Sequence, residues 1–309
     1  MTKWNHGASY SISKLSEEEV KEAIDEWAEG SEGLKYLLGL CYKKGVNTFG
    51  CHFGIDPYID FEGTDNIEQL KRMARSVSDL DGLQLLGSSQ PVNLYTIITT
   101  GLRSSFSIGD RKGKDPDSAN KFFYRVAAGL IGDAPENVAL DRVVDFYNFF
   151  AGKEPSLCFR LRQSKEDGYS FSIESKEDDF GIEYNDDIFT RAGLKRNKPF
   201  EDAPIIEWQI KTKDKKEFDK MMNDSFDYIS REWNLRTPTE ITDDMSFTMK
   251  TRIILRNLIE KPGGKKVFMR WFIENSPDSF WELHRAKRPT LEELEGALKE
   301  REKRQGEER

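Results

Sequence analysis

Leu157-Cys158-Phe159-Arg160-Leu161-Arg162, followed after a polar turn by Gly168-Tyr169-Ser170-Phe171-Ser172-Ile173, is the stretch on which the fold turns. Leu157, Phe159 and Leu161 alternate with Cys158, Arg160 and Arg162, and Tyr169, Phe171 and Ile173 alternate on the far side of Asp167-Gly168. A period of two with a turn signal between the arms predicts an antiparallel hairpin, one face buried and the other polar. The polar face carries a thiol and two guanidiniums. Two cations beside Cys158 would favour its thiolate; the alternative is a strand whose outward face is simply basic.

Working outward, the same alternation marks Tyr58 to Glu62, with Ile59 and Phe61 on one face and Tyr58, Asp60 and Glu62 on the other. Residues 92–100 read as a central strand, apolar on both faces. Ile206, Trp208 and Ile210 mark another strand, and the helix after it carries Phe218, Met222, Phe226, Ile229 and Trp233. This strand–helix unit weakly echoes the strand at 58–62 and the helix at 66–80, without establishing a repeat. Helical spacing runs from Val20 to Trp27, behind a capping box at Ser16, and again from Leu34 to Cys41, ending at Gly45. Cys41 falls on the apolar face of that helix and reads as a small buried hydrophobe. Asp115-Pro116 opens a helix, and Leu140 to Phe150 carries another. Residues 102–114 read as a polar connection and residues 175–204 as a long acidic loop.

The fold expected is α+β: mixed β-sheets with helices packed on one face, in two subdomains, with a helical C-terminus. The chain of 309 residues suits two domains. The boundary is expected near Gly152-Lys153-Glu154-Pro155, giving an N-terminal α+β domain at 1–152. The C-terminal α+β domain at 153–309 would end in a basic helical hairpin and a charged helix.

Charged residues make up 33% of the chain and the net charge is −8, which opposes general affinity for nucleic acid or anionic lipid. No apolar run approaches the roughly 20 residues that span a bilayer, so no membrane partner is expected. The N-terminus lacks the apolar core of a signal peptide, and three cysteines suit a reducing compartment. A cytoplasmic location is the expectation.

Gly50-Cys51-His52-Phe53-Gly54 gathers one of three histidines and one of three cysteines between glycines at a strand end. Here Cys51, His52, Asp56 and Asp60 are the candidate catalytic residues. A cysteine–histidine dyad needs a turn, because adjacent strand residues face opposite ways. A carboxylate from Asp56 or Asp60 beside the His52 imidazole is the arrangement expected, serving either acid–base chemistry or structure. Gly50 and Gly54 would let a ligand approach, and Arg111 or Lys112, from a flexible basic loop, would close over an anion. Gly109 to Asp115 fails as a phosphate loop, since its glycines are three residues apart and aspartate replaces the magnesium-binding hydroxyl. Zinc spacing is missing, so no metal is expected, and the sequence leaves any cofactor unknown.

A second candidate is the segment from Thr248 to Ile273. Lys250, Arg252, Arg256, Lys261, Lys265, Lys266 and Arg270 face only Glu260 there, interleaved with Phe268, Trp271 and Phe272. Such a hairpin could bind a protein or nucleic-acid partner, while its aromatics at helical spacing could equally be core. Two functions therefore stand side by side. One is a ligand-binding protein, or an enzyme acting on a small anionic or nucleotide-like ligand at the glycine loop. The other is a non-catalytic interaction or regulatory protein working through residues 248–273.

Overall fold

The structure, a computed structural model, describes residues 17–28, 30–62, 66–88, 105–150, 157–176, 182–198, 205–236, 250, 254, 263–283, 287–293 and 295–296. The protein is α+β. In chain order the elements are α1 (Glu17–Trp27), α2 (Glu32–Lys44), β1 (Thr48–His52), β2 (Tyr58–Glu62), α3 (Ile67–Ser76), β3 (Leu83–Ser88), β4 (Ser105–Asp110), α4 (Pro116–Ile131) and α5 (Val138–Phe150). There follow β5 (Cys158–Ser164), β6 (Gly168–Lys176), α6 (Ile182–Arg191), β7 (Lys195–Asn197), β8 (Ile205–Thr212), α7 (Lys215–Arg236), α8 (Gly264–Asn275) and α9 (Asp278–Leu283).

Among the described residues eight strands join in one antiparallel sheet, in the order β1-β2-β4-β3-β5-β6-β8-β7. The hairpin that opens the second half forms as the alternation predicts, with Cys158 opposite Glu174 and Ser164 opposite Gly168. The first four strands and the last four follow the same path, ββαββα in sequence and 1-2-4-3 in space. Because strand direction alternates throughout, a step along the sheet carries one half onto the other without reversing it. The counterpart of β8–α7 is thus β4–α4, whereas the sequence echo pointed to β2–α3. The seam is β3 against β5. The expected boundary at Gly152 to Pro155 lies outside the described residues, and the sheet runs through strands on both sides of it.

Two segments differ from the sequence reading. Residues 105–110, expected within a polar connection, form β4 and lie between β2 and β3. Phe106 and Ile108 point into the core while Ser105 and Ser107 face the other way, and this half-polar alternation reads as linker when seen alone. Residues 182–191 and 195–197, expected within an exposed loop, form α6 and β7, anchored by buried Ile188, Phe189 and Leu194. The strand expected at 92–100 and the capping box at Ser16 lie outside the described residues.

One face of the sheet is apolar and covered by helices. Ile59, Phe61, Leu83, Leu85, Phe106, Ile108, Phe159, Leu161, Phe171, Ile173, Ile206, Trp208 and Ile210 are buried there. Over them α2 packs on α4, α4 on α3, α3 on α5 and α5 on α7. The helix ends are set locally. Ser31 caps α2, its Oγ accepting from Leu34 N at 3.1 Å, and Gly45 closes it with φ 66°. Asp115 caps α4 in a capping box with Ser118, with Pro116 at the first turn. Helix α5 lies over the seam: Tyr147 fills the space above Gly87 on β3, where a Cβ would approach it to 2.9 Å. Phe146 stacks on Phe171 of β6 at 4.8 Å and on Phe159 of β5 at 5.9 Å. Burying rings of this size contributes about 2–3 kcal/mol each, which makes α5 the clamp between the halves. Cys41 is fully buried, as its helical face predicts.

Candidate functional site

The opposite face of the sheet is polar, and its centre is β5. Cys158, Arg160 and Arg162 point onto it, as their alternation predicts. Register sets Arg160 opposite Leu86 and Ser172, and Arg162 opposite Gln84 and Ser170. Beyond β6 the face continues through Glu207, Gln209 and Lys211. Arg160 Nη1 lies 2.9 Å from Glu174 Oε1, a pair about three-quarters or more withdrawn from water. Arg162 is exposed and ends in no ion pair among the described residues. Burial first, then the charges of Arg160 and Arg111, hold its guanidinium below the usual range. Two buried atoms beside it have no hydrogen-bond partner: Arg160 Nε, a donor, and Gln84 Oε1, an acceptor. The thiol behaves opposite to the thiolate reading: burial and Glu174 outweigh Arg160 and push Cys158 up to about 12.

At the β1 edge of the same face stand His52, Tyr58, Asp60 and Ser107. Cys51, paired with Ile59, turns to the helix side, where its Sγ reaches Trp27 O at 3.8 Å. Cys51 and His52 therefore lie on opposite faces. His52 stacks on the Tyr58 ring at 5.8 Å. No hydrogen bond joins it to Asp56 or Asp60 among the described residues, so the expected imidazole–carboxylate pair is not formed. Asp60 instead accepts a hydrogen bond from the Ser107 hydroxyl opposite it. Burial pushes the Asp60 carboxyl up, against that hydrogen bond. Asp56 sits in the turn with φ 57°, its N–H donating to Gly113 O at 3.0 Å.

The expected flexible basic loop is a tight turn. Gly109 and Asp110 belong to β4, and Arg111 N donates to Gly82 O at 2.8 Å. Gly113 presses on Pro57 so closely that a Cβ there would meet Pro57 Cδ at 2.6 Å. Lys112 is committed to Asp81, Nζ to Oδ2 3.0 Å. Of the two cations expected to close over an anion, Arg111 alone is exposed without an ion pair among the described residues. The field it exerts on Arg162 ties it to the central cluster.

A cleft of about 530 Å³ opens at the end of the sheet. The turn after α3, the tip of the β5–β6 hairpin and the starts of α5 and α7 form its walls. Nothing in the sequence pattern pointed to it, since its lining comes from four separate stretches of chain.

The basic helical hairpin is only partly described. Lys250 is half-buried; Arg252 and Arg256 lie outside the described residues, as do the side chains of Lys265 and Lys266. Arg270 lies 3.7 Å from Glu274 and 3.4 Å from Glu295, so the chain's own carboxylates offset its charge. Phe268 and Phe272 are buried, 5.8 Å apart, and Phe272 packs on Trp281. These aromatics form a small core.

Among the described residues no helix is long and apolar enough to cross a membrane. No group of three or more histidine, cysteine or carboxylate side chains there could hold a metal ion. No family model matches the chain, and no curated protein or solved structure matches it.

Proposed function

We propose that the chain is an interaction protein whose polar sheet face receives an acidic segment of a partner protein at its exposed Arg162 and Arg111, which meet the partner's carboxylates. One observation carries the reading. Arg160, Arg162 and Arg111 stand close enough for their charges to repel, against two carboxylates, Glu207 and Glu174, the latter already held by Arg160. Repelling cations placed together are stabilised by an incoming anion, and a guanidinium holds a carboxylate through two parallel hydrogen bonds. Arg160 Nε and Gln84 Oε1, both buried, leave a donor and an acceptor unpaired beside them.

The shape of the face supports a macromolecule. Eight strands spaced by about 4.8 Å span roughly 34 Å, an extent on the scale of a protein interface, whereas small molecules favour concave sites. A continuous phosphate backbone crossing it would meet Asp60, Glu174 and Glu207, while acidic side chains set at intervals avoid them. The Gly50–Gly54 loop has no part in this reading, and the helices around 248–273 are not needed for it.

A fluorescein-labelled glutamate-rich peptide, followed by anisotropy at low salt, tests the proposal. The double variant Arg111→Gln/Arg162→Gln is expected to weaken binding at least tenfold, and His52→Ala to leave it unchanged. Equal binding by the double variant sinks the reading, and tighter binding of a single-stranded oligonucleotide with a steep salt slope replaces it with a nucleic-acid one.

A further inference from the structure

We propose that the cleft at the end of the sheet binds a small phosphorylated molecule, held by Lys213, Lys165 and the side-chain amide of Asn137. Its volume of about 530 Å³ lies within the range of about 300–1,000 Å³ typical of small-ligand sites. The charges around it are unevenly committed. Asp79 is held by Arg125, and Asp81 by Lys112 Nζ at 3.0 Å and Lys165 N at 2.7 Å, so both carboxylates are already neutralised. Lys215 is paired with Asp219 at 2.8 Å. Lys213 and the ammonium of Lys165 end in no ion pair among the described residues, which leaves the cleft with spare positive charge.

Asn137 supplies the independent observation. It lines the cleft yet is only 8% exposed. Its Oδ1 accepts from Leu140 N at 3.4 Å, at the start of α5, while its Nδ2 has no partner among the described residues. An amide donor lining the same cleft as Lys213 and Lys165 fits an oxyanion. The start of α5, 13 residues long, adds the positive end of its dipole, whereas at the start of α7 the Asp214 carboxylate already accepts from Glu217 N at 3.0 Å. Tyr169, whose ring stacks on Phe218 at 5.5 Å, forms a flat wall for the remainder of the ligand.

The cleft is independent of the polar face, and the test keeps them apart. Isothermal titration with inorganic pyrophosphate and with adenosine monophosphate would compare the intact chain with three variants. Lys213→Ala and Asn137→Asp, the latter keeping an N-cap oxygen, are each expected to lower affinity at least tenfold. Arg162→Gln should leave it unchanged. Absence of binding to both probes by the intact chain at millimolar concentration overturns the proposal, and so does undiminished binding by Lys213→Ala.

Discussion

Gly50 of β1 faces Asp60 of β2 so closely that a Cβ on Gly50 would come within 2.6 Å of Asp60 Oδ2. The glycine of the sequence's most conspicuous loop is there to make room for a carboxylate, at a point where the strand register also slips. Gly50→Ala should displace Asp60 from Ser107 and destabilise the fold by about 1–3 kcal/mol, read by urea denaturation. In an Asp60→Ala background the same change should cost little, and an undiminished cost there would mean the contact is not the cause.

Asp60 should also mark the pH dependence of stability. Its carboxyl is pushed up by burial, so the folded state holds that proton more tightly than the unfolded state does. The charged form therefore costs stability, and the cost builds as pH rises from the ordinary carboxylate value of 3.8 through the raised one. Asp60→Asn keeps an acceptor for Ser107 and removes the cost. The variant should gain on the parent as pH rises across that window and hold the gain above it. Parallel stability curves from pH 3 to 8 (an experimental range of about five units) would contradict this.

The thiols offer a simpler check. Cys41 and Cys158 are each pushed up to about 12 by burial, so at pH 8 roughly one in ten thousand of either is thiolate. Neither should react with a disulfide reagent in the native protein over minutes, while all three cysteines should react in guanidinium. Fast native labelling of Cys158, located by peptide mapping, would restore the activated-thiol reading.

What the sequence revealed was local. The hairpin from 158 to 176 was legible because its period and turn lie within a few residues of each other. The helices capped by Ser31 and Asp115 were legible for the same reason. Strand β4 was not, because Ser105, Ser107 and Gly109 resemble a linker until a partner strand on each side gives them a face. The Arg160–Arg162 alternation was visible, but Gln84 and Arg111 reach it through the register and order of strands distant in sequence. The sign of the Cys158 shift depended on burial, which alternation alone does not reveal. The split between Cys51 and His52 followed from strand geometry, whereas the choice of Tyr58 over a carboxylate as the imidazole's neighbour required the turn at 53–57.

The central claim, that the polar face around Arg162 is where this protein meets its partner, is tested most directly by residue-resolved mapping. Backbone amide shifts recorded during titration with the glutamate-rich peptide should move at Gln84, Arg111, Arg160, Arg162 and Ser170. The helix from Gly264 to Asn275 should stay still. Shifts confined to that helix or to residues 50–56, with β5 silent, would contradict the account.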